Sequence, residues 1–292
     1  MGYFDLNRRM NDVFVSGKLP TMVYITNQSH DRKTIRRPLH KHESVCELLL
    51  VHKGNGVYHV NDKSYALQEG SVIFYNQGDL HEVENPDQQE MGNYCVGISH
   101  LHLKGLPDNC LVQPGEPYVR HSGTMFPILK GLLDQMYELE GSGEEGDLAA
   151  QLLCSALILM STSLETMPAT FLHKRQDEKM VQDIQKYLNQ HYTEDISLND
   201  IADALHCSVT HISHIFKKST GNTPIQYVIC RRIGQAQTLL ISTDYTATQI
   251  ATMVGYDNTN YFSTQFSKIV GMSPARYREM YHSESRGQGD QT

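Results

Sequence analysis

The chain has no Cys-x-x-Cys pair, although it carries six cysteines. Cys46, Cys95, Cys110, Cys154, Cys207 and Cys230 stand far apart. They read as reduced, mostly buried small hydrophobic residues rather than a disulfide frame or a zinc cage. Long apolar runs are missing too. The longest, Leu152 to Met160, falls well short of the ~20 residues a bilayer-spanning helix needs, so no membrane role is expected. No basic stretch followed by an apolar core opens the chain, which argues against a secretory signal. Leu6 stands where a myristoylation signal requires Ser or Thr. These absences lead us to expect a cytoplasmic protein.

Positive charge is also scarce, with a formal net charge of −8. Residues 1–173 hold 13 Lys and Arg against 21 Asp and Glu, whereas residues 174–282 hold 11 against 10. An acidic front half excludes a nucleic-acid surface there. The near-neutral back half can meet phosphates only where its charge collects on one face, as Lys217-Lys218 and Arg231-Arg232 suggest. With 39% hydrophobic and 20% charged residues, the 292-residue composition is that of a globular protein long enough for two domains.

What is present falls into two textures. After a lead-in over residues 1–20, short β-branched or aromatic runs follow at Met22–Thr26, Glu47–Val51, Gly56–Val60, Ser71–Tyr75 and Tyr94–Ile98. Turns such as Lys53-Gly-Asn-Gly56 separate them, which predicts an all-β barrel or sandwich. Phe126–Glu140 then has apolar residues at helical spacing, Gly141–Gly146 breaks it, and Asp147 is placed to cap a second helix reaching Leu164. That second helix is apolar over much of its circumference, through Leu148, Leu152, Leu153, Ala156, Leu157, Leu159 and Met160. So wide a face requires burial, either within the chain or against another subunit.

From Leu198 the sequence says nearly the same thing twice. Ile201-Ala202, Phe216, Gly221, Pro224 and Tyr227 return as Ile250-Ala251, Phe266, Gly271, Pro274 and Tyr277. Each copy reads as a short helix, a tight turn and a second helix, the helix-turn-helix unit. In the first copy Ser208 is expected to cap a helix with Ile212, Ile215 and Phe216 inward. Thr210, His211, Ser213, His214 and Lys217 then face outward. In the second, Gly255 permits the turn, Asn258 caps, Tyr261, Phe262 and Phe266 face inward, and Thr259, Asn260, Ser263, Thr264 and Lys268 face outward. Pro224 opens a connecting helix of ~17 residues, a rod of ~25 Å, suited to holding two reading helices about one DNA turn apart.

The ordered pattern over about 180–280 resembles the AraC/XylS family of bacterial transcription regulators. It comprises Ile201-Ala202, Phe216-Lys-Lys218, Thr220-Gly221, Thr223-Pro224, Arg232 with Ala236, Val254-Gly-Tyr256, Asn260-Tyr-Phe-Ser263 and Pro274 with Tyr277-Arg278. The resemblance implies base contacts from Thr210, Ser213, His214 and Lys217 and from Thr259, Asn260, Ser263 and Thr264. Family members often carry arginine where His214 and Thr264 stand, so the readout expected here is gentler or more shape-dependent.

Two further stretches, His40-Lys-His42 through Glu47 to Gly54 and Gly70 through Gly78 to His81 and Asn85, are similar to the two cupin motifs, with Asn76 in place of a proline. The resemblance implies that His40, His42, Glu47 and His81 bind an effector or a divalent metal in a barrel. His40 and His42, two apart on a strand, would share a face, whereas Glu47 joins them only if the chain turns between 43 and 46. Those histidines would otherwise be a relic, hydrogen-bonded inside the barrel.

These readings converge on an α+β multidomain protein: a cupin-like β-barrel with a helical hairpin over 1–165, a linker over 166–176, an all-α double helix-turn-helix domain over 177–282, and a disordered tail over 283–292. The expected function is a homodimeric transcription activator that binds double-stranded promoter DNA, answers to a small effector of carbohydrate class and engages RNA polymerase. The alternative is a metal-dependent cupin enzyme with a vestigial DNA-binding module.

Overall fold

The computed structural model describes residues 10, 12–15, 18–28, 38–61, 63–84, 91–165 and 178–284. The expected linker, most of the lead-in and the tail beyond residue 284 lie outside them. The chain divides into two compact units, residues 1–34 with 42–170 and residues 35–41 with 171–292.

The first unit is built on eight strands: β1 (Thr21–Asn27), β2 (Cys46–Lys53), β3 (Gly56–Val60), β4 (Lys63–Leu67), β5 (Ser71–Tyr75), β6 (His81–Glu84), β7 (Gly92–Ser99) and β8 (Val119–His121). Five contain the expected runs. The other three, β4, β6 and β8, are short and carry few β-branched residues, so sequence texture alone does not mark them. The strands pair antiparallel into a five-stranded sheet, β1-β7-β2-β5-β8, and a three-stranded sheet, β4-β3-β6. Hydrogen bonding does not run continuously around a closed barrel among the described residues. Even so, the two inner faces meet: Tyr58 on β3 packs edge-on to Tyr75 on β5, and Tyr75 lies 4.1 Å, ring centre to ring centre, from His81 on β6.

Two helices, α1 (Phe126–Leu139) and α2 (Glu144–Thr162), cover the outer face of the larger sheet. Leu129, Leu133 and Met136 of α1 and Cys154, Leu157 and Ile158 of α2 join Leu48, Leu50, Val96 and Ile98 in one core. Tyr94 donates to Asp134 at 2.7 Å, and Lys130 pairs with the same carboxylate at 2.8 Å, fastening α1 to β7. One expectation needs correction here. Asp147 does not cap α2: the helix begins three residues earlier, after Gly143 at φ 114°, and the Asp147 carboxylate accepts the Gly141 N–H instead. Within the chain the apolar circumference of α2 is covered only in part, which leaves the other expected cover, a second subunit, open. Leu157 and Ile158 are buried and Leu153, Ala156, Leu159 and Met160 half-buried, but Leu148 and Leu152 near its start are 61% and 52% exposed.

The second unit holds seven helices among the described residues: α3 (Glu178–His191), α4 (Leu198–Ala204), α5 (Val209–Thr220), α6 (Pro224–Ser242), α7 (Ala247–Met253), α8 (Thr259–Val270) and α9 (Pro274–Glu284). From α4 onward each start carries a side-chain cap. Ser197 with Asp200, Thr223 with Gln226 and Thr246 with Gln249 form reciprocal capping boxes, and such caps are worth ~1 kcal/mol each. Both reading helices end on a left-handed glycine, Gly221 at φ 74° and Gly271 at φ 86°. The repeated Phe and Tyr prove to be contacts. Phe216 meets Tyr227 edge-on at 5.4 Å, and Phe266 meets Tyr277 the same way at 5.6 Å. The connecting helix α6 serves both copies, sending Ile233, Ala236 and Leu240 into the second core while Tyr227 packs on the first.

Candidate DNA interface and effector site

The two reading helices present the expected faces. Ser208 caps α5 by accepting the His211 N–H at 3.2 Å, and Ile212, Ile215 and Phe216 are buried. On the opposite side Thr210, His211, His214, Lys217 and Lys218 are exposed and Ser213 is half-buried. Asn258 caps α8 through the Asn260 and Tyr261 N–H groups, at 2.9 and 3.0 Å. There Asn260, Thr264 and Lys268 are exposed, and Thr259 and Ser263 are half-buried at the edge of that face. All eight residues expected to meet bases therefore keep solvent access. Thr264 donates its hydroxyl proton to the Asn260 carbonyl at 2.9 Å, which leaves its oxygen to act as an acceptor.

Tyr261 corrects the sequence reading. Expected inward, it is 50% exposed, because a residue one step from buried Phe262 is turned ~100° around the helix. It lines up instead with Thr264 and Lys268, three and seven residues on. The paired arginines are a second correction, since neither offers its charge to phosphate. Arg231 is buried, its guanidinium 4.4 Å from the Tyr192 ring centre and 3.0 Å from the Gln235 side-chain oxygen. Arg232 donates to the carbonyls of Tyr192, Gly255 and Glu194 at 2.6, 2.7 and 2.7 Å and lies over the Tyr256 ring. It fixes the Val254-Gly-Tyr256 turn, where Gly255 adopts φ 90°, against the end of α3. Arg278 does the same work later, reaching the carbonyls of Leu240, Thr243 and Tyr245. Exposed positive charge near the reading faces thus comes from Lys217, Lys218 and Lys268.

In the first unit, one register row across the larger sheet reads Tyr24, Gly97, Glu47, Tyr75. Glu47 is buried on the inner face. Its carboxylate oxygens lie 3.2 Å from His42 Nε2 and 3.0 Å from His81 Nε2, and the Tyr24 hydroxyl donates to it as well. Tyr24 reaches across because Gly97 has no side chain: a Cβ there would sit 2.4 Å from the tyrosine ring. Burial pushes the Glu47 carboxyl upward, but the neighbouring His42 and His81 outweigh it and hold the group well below the usual carboxylate range.

His40, two residues before His42, completes the expected set. One ligand atom from each of His40, His42, Glu47 and His81 lies within 4.8 Å of the others, and all four residues are buried. The two histidines are not on a strand, as expected, but on the approach to β2, and the bend at Glu43-Ser44 brings Glu47 alongside them. Nδ1 of His40 lies 2.9 Å from the Pro38 carbonyl and Nδ1 of His81 lies 2.8 Å from the Asp79 carbonyl. A carbonyl only accepts, so each Nδ1 carries a proton and each Nε2 is turned inward. His81 Nε2 and a Glu47 oxygen face each other at 3.0 Å, a contact that either a shared proton or a cation between them satisfies. Backbone carbonyls that fix the outer nitrogen are also the usual support of metal-binding histidines. The donor set fits a divalent metal ion.

Sequence reasoning missed Tyr24, whose only sequence signal is its place on a strand opposite a glycine. It also missed the role of Asn76. Its side chain donates to the Val112 carbonyl at 3.0 Å and accepts the Leu111 and Val112 N–H groups at 2.8 and 3.3 Å, so it ties β5 to the 109–112 loop.

Two family models match the chain: an AraC-like ligand binding domain over residues 20–160 and a helix-turn-helix domain over residues 201–280. The chain is similar to the HTH-type transcriptional regulator YdiP of Escherichia coli, 26% identical over 272 residues that cover 92% of this chain and 89% of that protein. It is also similar to the HTH-type transcriptional activator RhaR of Mannheimia succiniciproducens, 27% identical over 84% of this chain and 88% of that one. Among solved structures, the DNA-binding domain of AdpA in complex with a target DNA is 28% identical, covering 37% of this chain and 97% of that chain with a TM-score of 0.35.

Proposed function

The chain belongs to the AraC family of DNA-binding transcription regulators, with a ligand-binding domain ahead of its helix-turn-helix domain, and from that premise we propose how it works. α5 and α8 enter successive major grooves of double-stranded promoter DNA. Thr210, Ser213, His214 and Lys217 meet the bases in one groove, and Thr259, Asn260, Ser263 and Thr264 in the next. The observation that carries this reading is the pair of capped helices, each turning a small polar face to solvent from a buried core and both packed on the single helix α6. Lacking arginine at His214 and Thr264, the pair reads DNA gently.

A small effector of carbohydrate class binds at His40, His42, Glu47 and His81 and shifts an existing equilibrium between DNA-binding states. The same four residues would hold a divalent metal, which when bound would present a Lewis-acidic centre to ligand oxygens. The working protein is a cytoplasmic activator that contacts RNA polymerase, and no described helix is long and apolar enough to cross a membrane. It acts as a homodimer, with the exposed Leu148 and Leu152 of α2 and Ile128 of α1 at the contact. The functional boundaries on this reading are 1–165 for sensing, 166–176 for the linker, 177–282 for DNA and 283–292 for the tail.

An electrophoretic shift of the promoter DNA adjoining its own gene tests the reading. Binding should appear at low salt and weaken steeply as salt rises, and no binding at low salt would sink it, because phosphate attraction is strongest there. Metal content of the purified protein, compared with that of His42→Ala, tests the metal separately.

A further inference from the structure

The inner face of the larger sheet continues beyond the histidine cluster. Next to the row Tyr24, Gly97, Glu47, Tyr75 lies the row Thr26, Cys95, Leu49, Ile73, and beyond it on β7 comes Asn93, opposite Val51. Side chains two apart on a strand share a face, so positions 97, 95 and 93 line one wall. Solvent reaches that wall along β1 and β7, where Tyr24, Thr26, Gln28 and Cys95 are half-buried, while Leu49, Val51 and Ile73 in the same rows are buried.

Each end of this strip offers an acceptor. One is the Glu47 carboxylate. The other is Asn93, only 1% exposed, whose amide nitrogen donates to Gln28 at 2.6 Å but whose Oδ1 has no hydrogen-bond partner. A buried amide oxygen left without a donor is costly and uncommon in native proteins. From the Gly97 row to Asn93 is four residues, roughly 13 Å at ~3.4 Å per residue.

We propose that the effector is a two-ring polyhydroxylated molecule, a disaccharide or a glycoside of that length, lying along the strip from Glu47 to Asn93. The inference rests on the effector reading above and extends it by naming the ligand's length and its far anchor. One ring sits against Glu47 and Tyr24. The second passes Thr26 and Cys95 and donates a hydroxyl proton to Asn93 Oδ1. The chemistry selects a donor at both ends: a carboxylate or phosphate would set acceptor against acceptor at Asn93, and an apolar end would leave its oxygen unpaired. A single ring held at Glu47 stops short of Asn93.

The test uses the full chain with maltose, cellobiose and lactose, and with glucose and galactose at matched concentrations. Binding is read by calorimetry and thermal shift, and position is read from iodoacetamide labelling of Cys95 by peptide mass spectrometry. A disaccharide should bind and protect Cys95, and Asn93→Leu should weaken it about tenfold, the effect of one lost hydrogen bond to a buried acceptor. Cys95 protection needs no variant, so it stands even if Asn93→Leu folds poorly. Disaccharide binding that leaves Cys95 fully reactive overturns the placement. Monosaccharide binding lost in Glu47→Gln but untouched by Asn93→Leu overturns the length and leaves the effector reading standing. If no sugar of either size binds, the proposal fails. The site itself then survives only if zinc or manganese stabilises the wild type and not Glu47→Gln.

Discussion

Arg232→Ala separates two roles that the sequence leaves together. As a surface cation, Arg232 would contact phosphate, and its loss would weaken DNA binding without touching the fold. In the structure its guanidinium instead satisfies three backbone carbonyls, at 2.6 to 2.7 Å, and covers the Tyr256 ring. Hydrogen bonds from a charged donor are worth ~1.5–3 kcal/mol each, but they are not additive, and the outermost carbonyl, that of Glu194, can recover water. A net loss of about 3 kcal/mol follows. For a domain of this size each kcal/mol lowers Tm by roughly 4 °C or more, so the helix-turn-helix transition should fall by about 12 °C. Calorimetric unfolding of the full chain measures this, and anisotropy titrations over a range of salt measure DNA binding well below the lowered Tm. Arg232→Lys, with one compact ammonium for three divergent carbonyls, should recover only part of the loss. An unchanged Tm together with a salt slope reduced by ~0.9, the signature of one lost phosphate contact, would refute the reasoning.

Lys217→Ala should do the reverse, lowering the salt slope by ~0.9 with Tm nearly unchanged, because its ammonium is exposed on the reading face. Gly97→Ala places a methyl group 2.4 Å from the Tyr24 ring, so the protein should lose ~1–3 kcal/mol to overpacking. Its response to metal or effector should fall together with stability, as followed by thermal shift with and without ligand. Asn76→Ala strands the Leu111 and Val112 N–H groups and the Val112 carbonyl, and urea unfolding of the ligand-binding unit should show a loss of about 2–4 kcal/mol. A loss under ~1 kcal/mol would mean that the 109–112 loop does not depend on that side chain.

The helical unit could be read closely from sequence because its instructions are local. Ser208, Asn258, Gly221, Gly271 and Pro224 each act on the turn they sit in, and the repeat states the pattern twice. Where the reading went astray, apolarity or charge stood in for position. Tyr261 looked like core and points outward, whereas Arg231 and Arg232 looked like surface charge and are engaged inside. The β unit was harder, since its decisive contacts are remote. Glu47 and His81 are joined across two sheets, and Tyr24 meets Glu47 only through a strand order that places β7 between β1 and β2. The cupin-like motif named four residues that the structure brings together, without showing that Tyr24 belongs with them.

Hydroxyl-radical footprinting of the promoter DNA tests the central claim, that α5 and α8 read one face of the duplex together. α6, with its 19 residues, is ~28 Å long, close to the ~34 Å of one DNA turn. Each bound domain should protect two patches about one turn apart, with His214→Ala fading one patch and Asn260→Ala the other. A single patch, or two that neither substitution alters, would contradict the account.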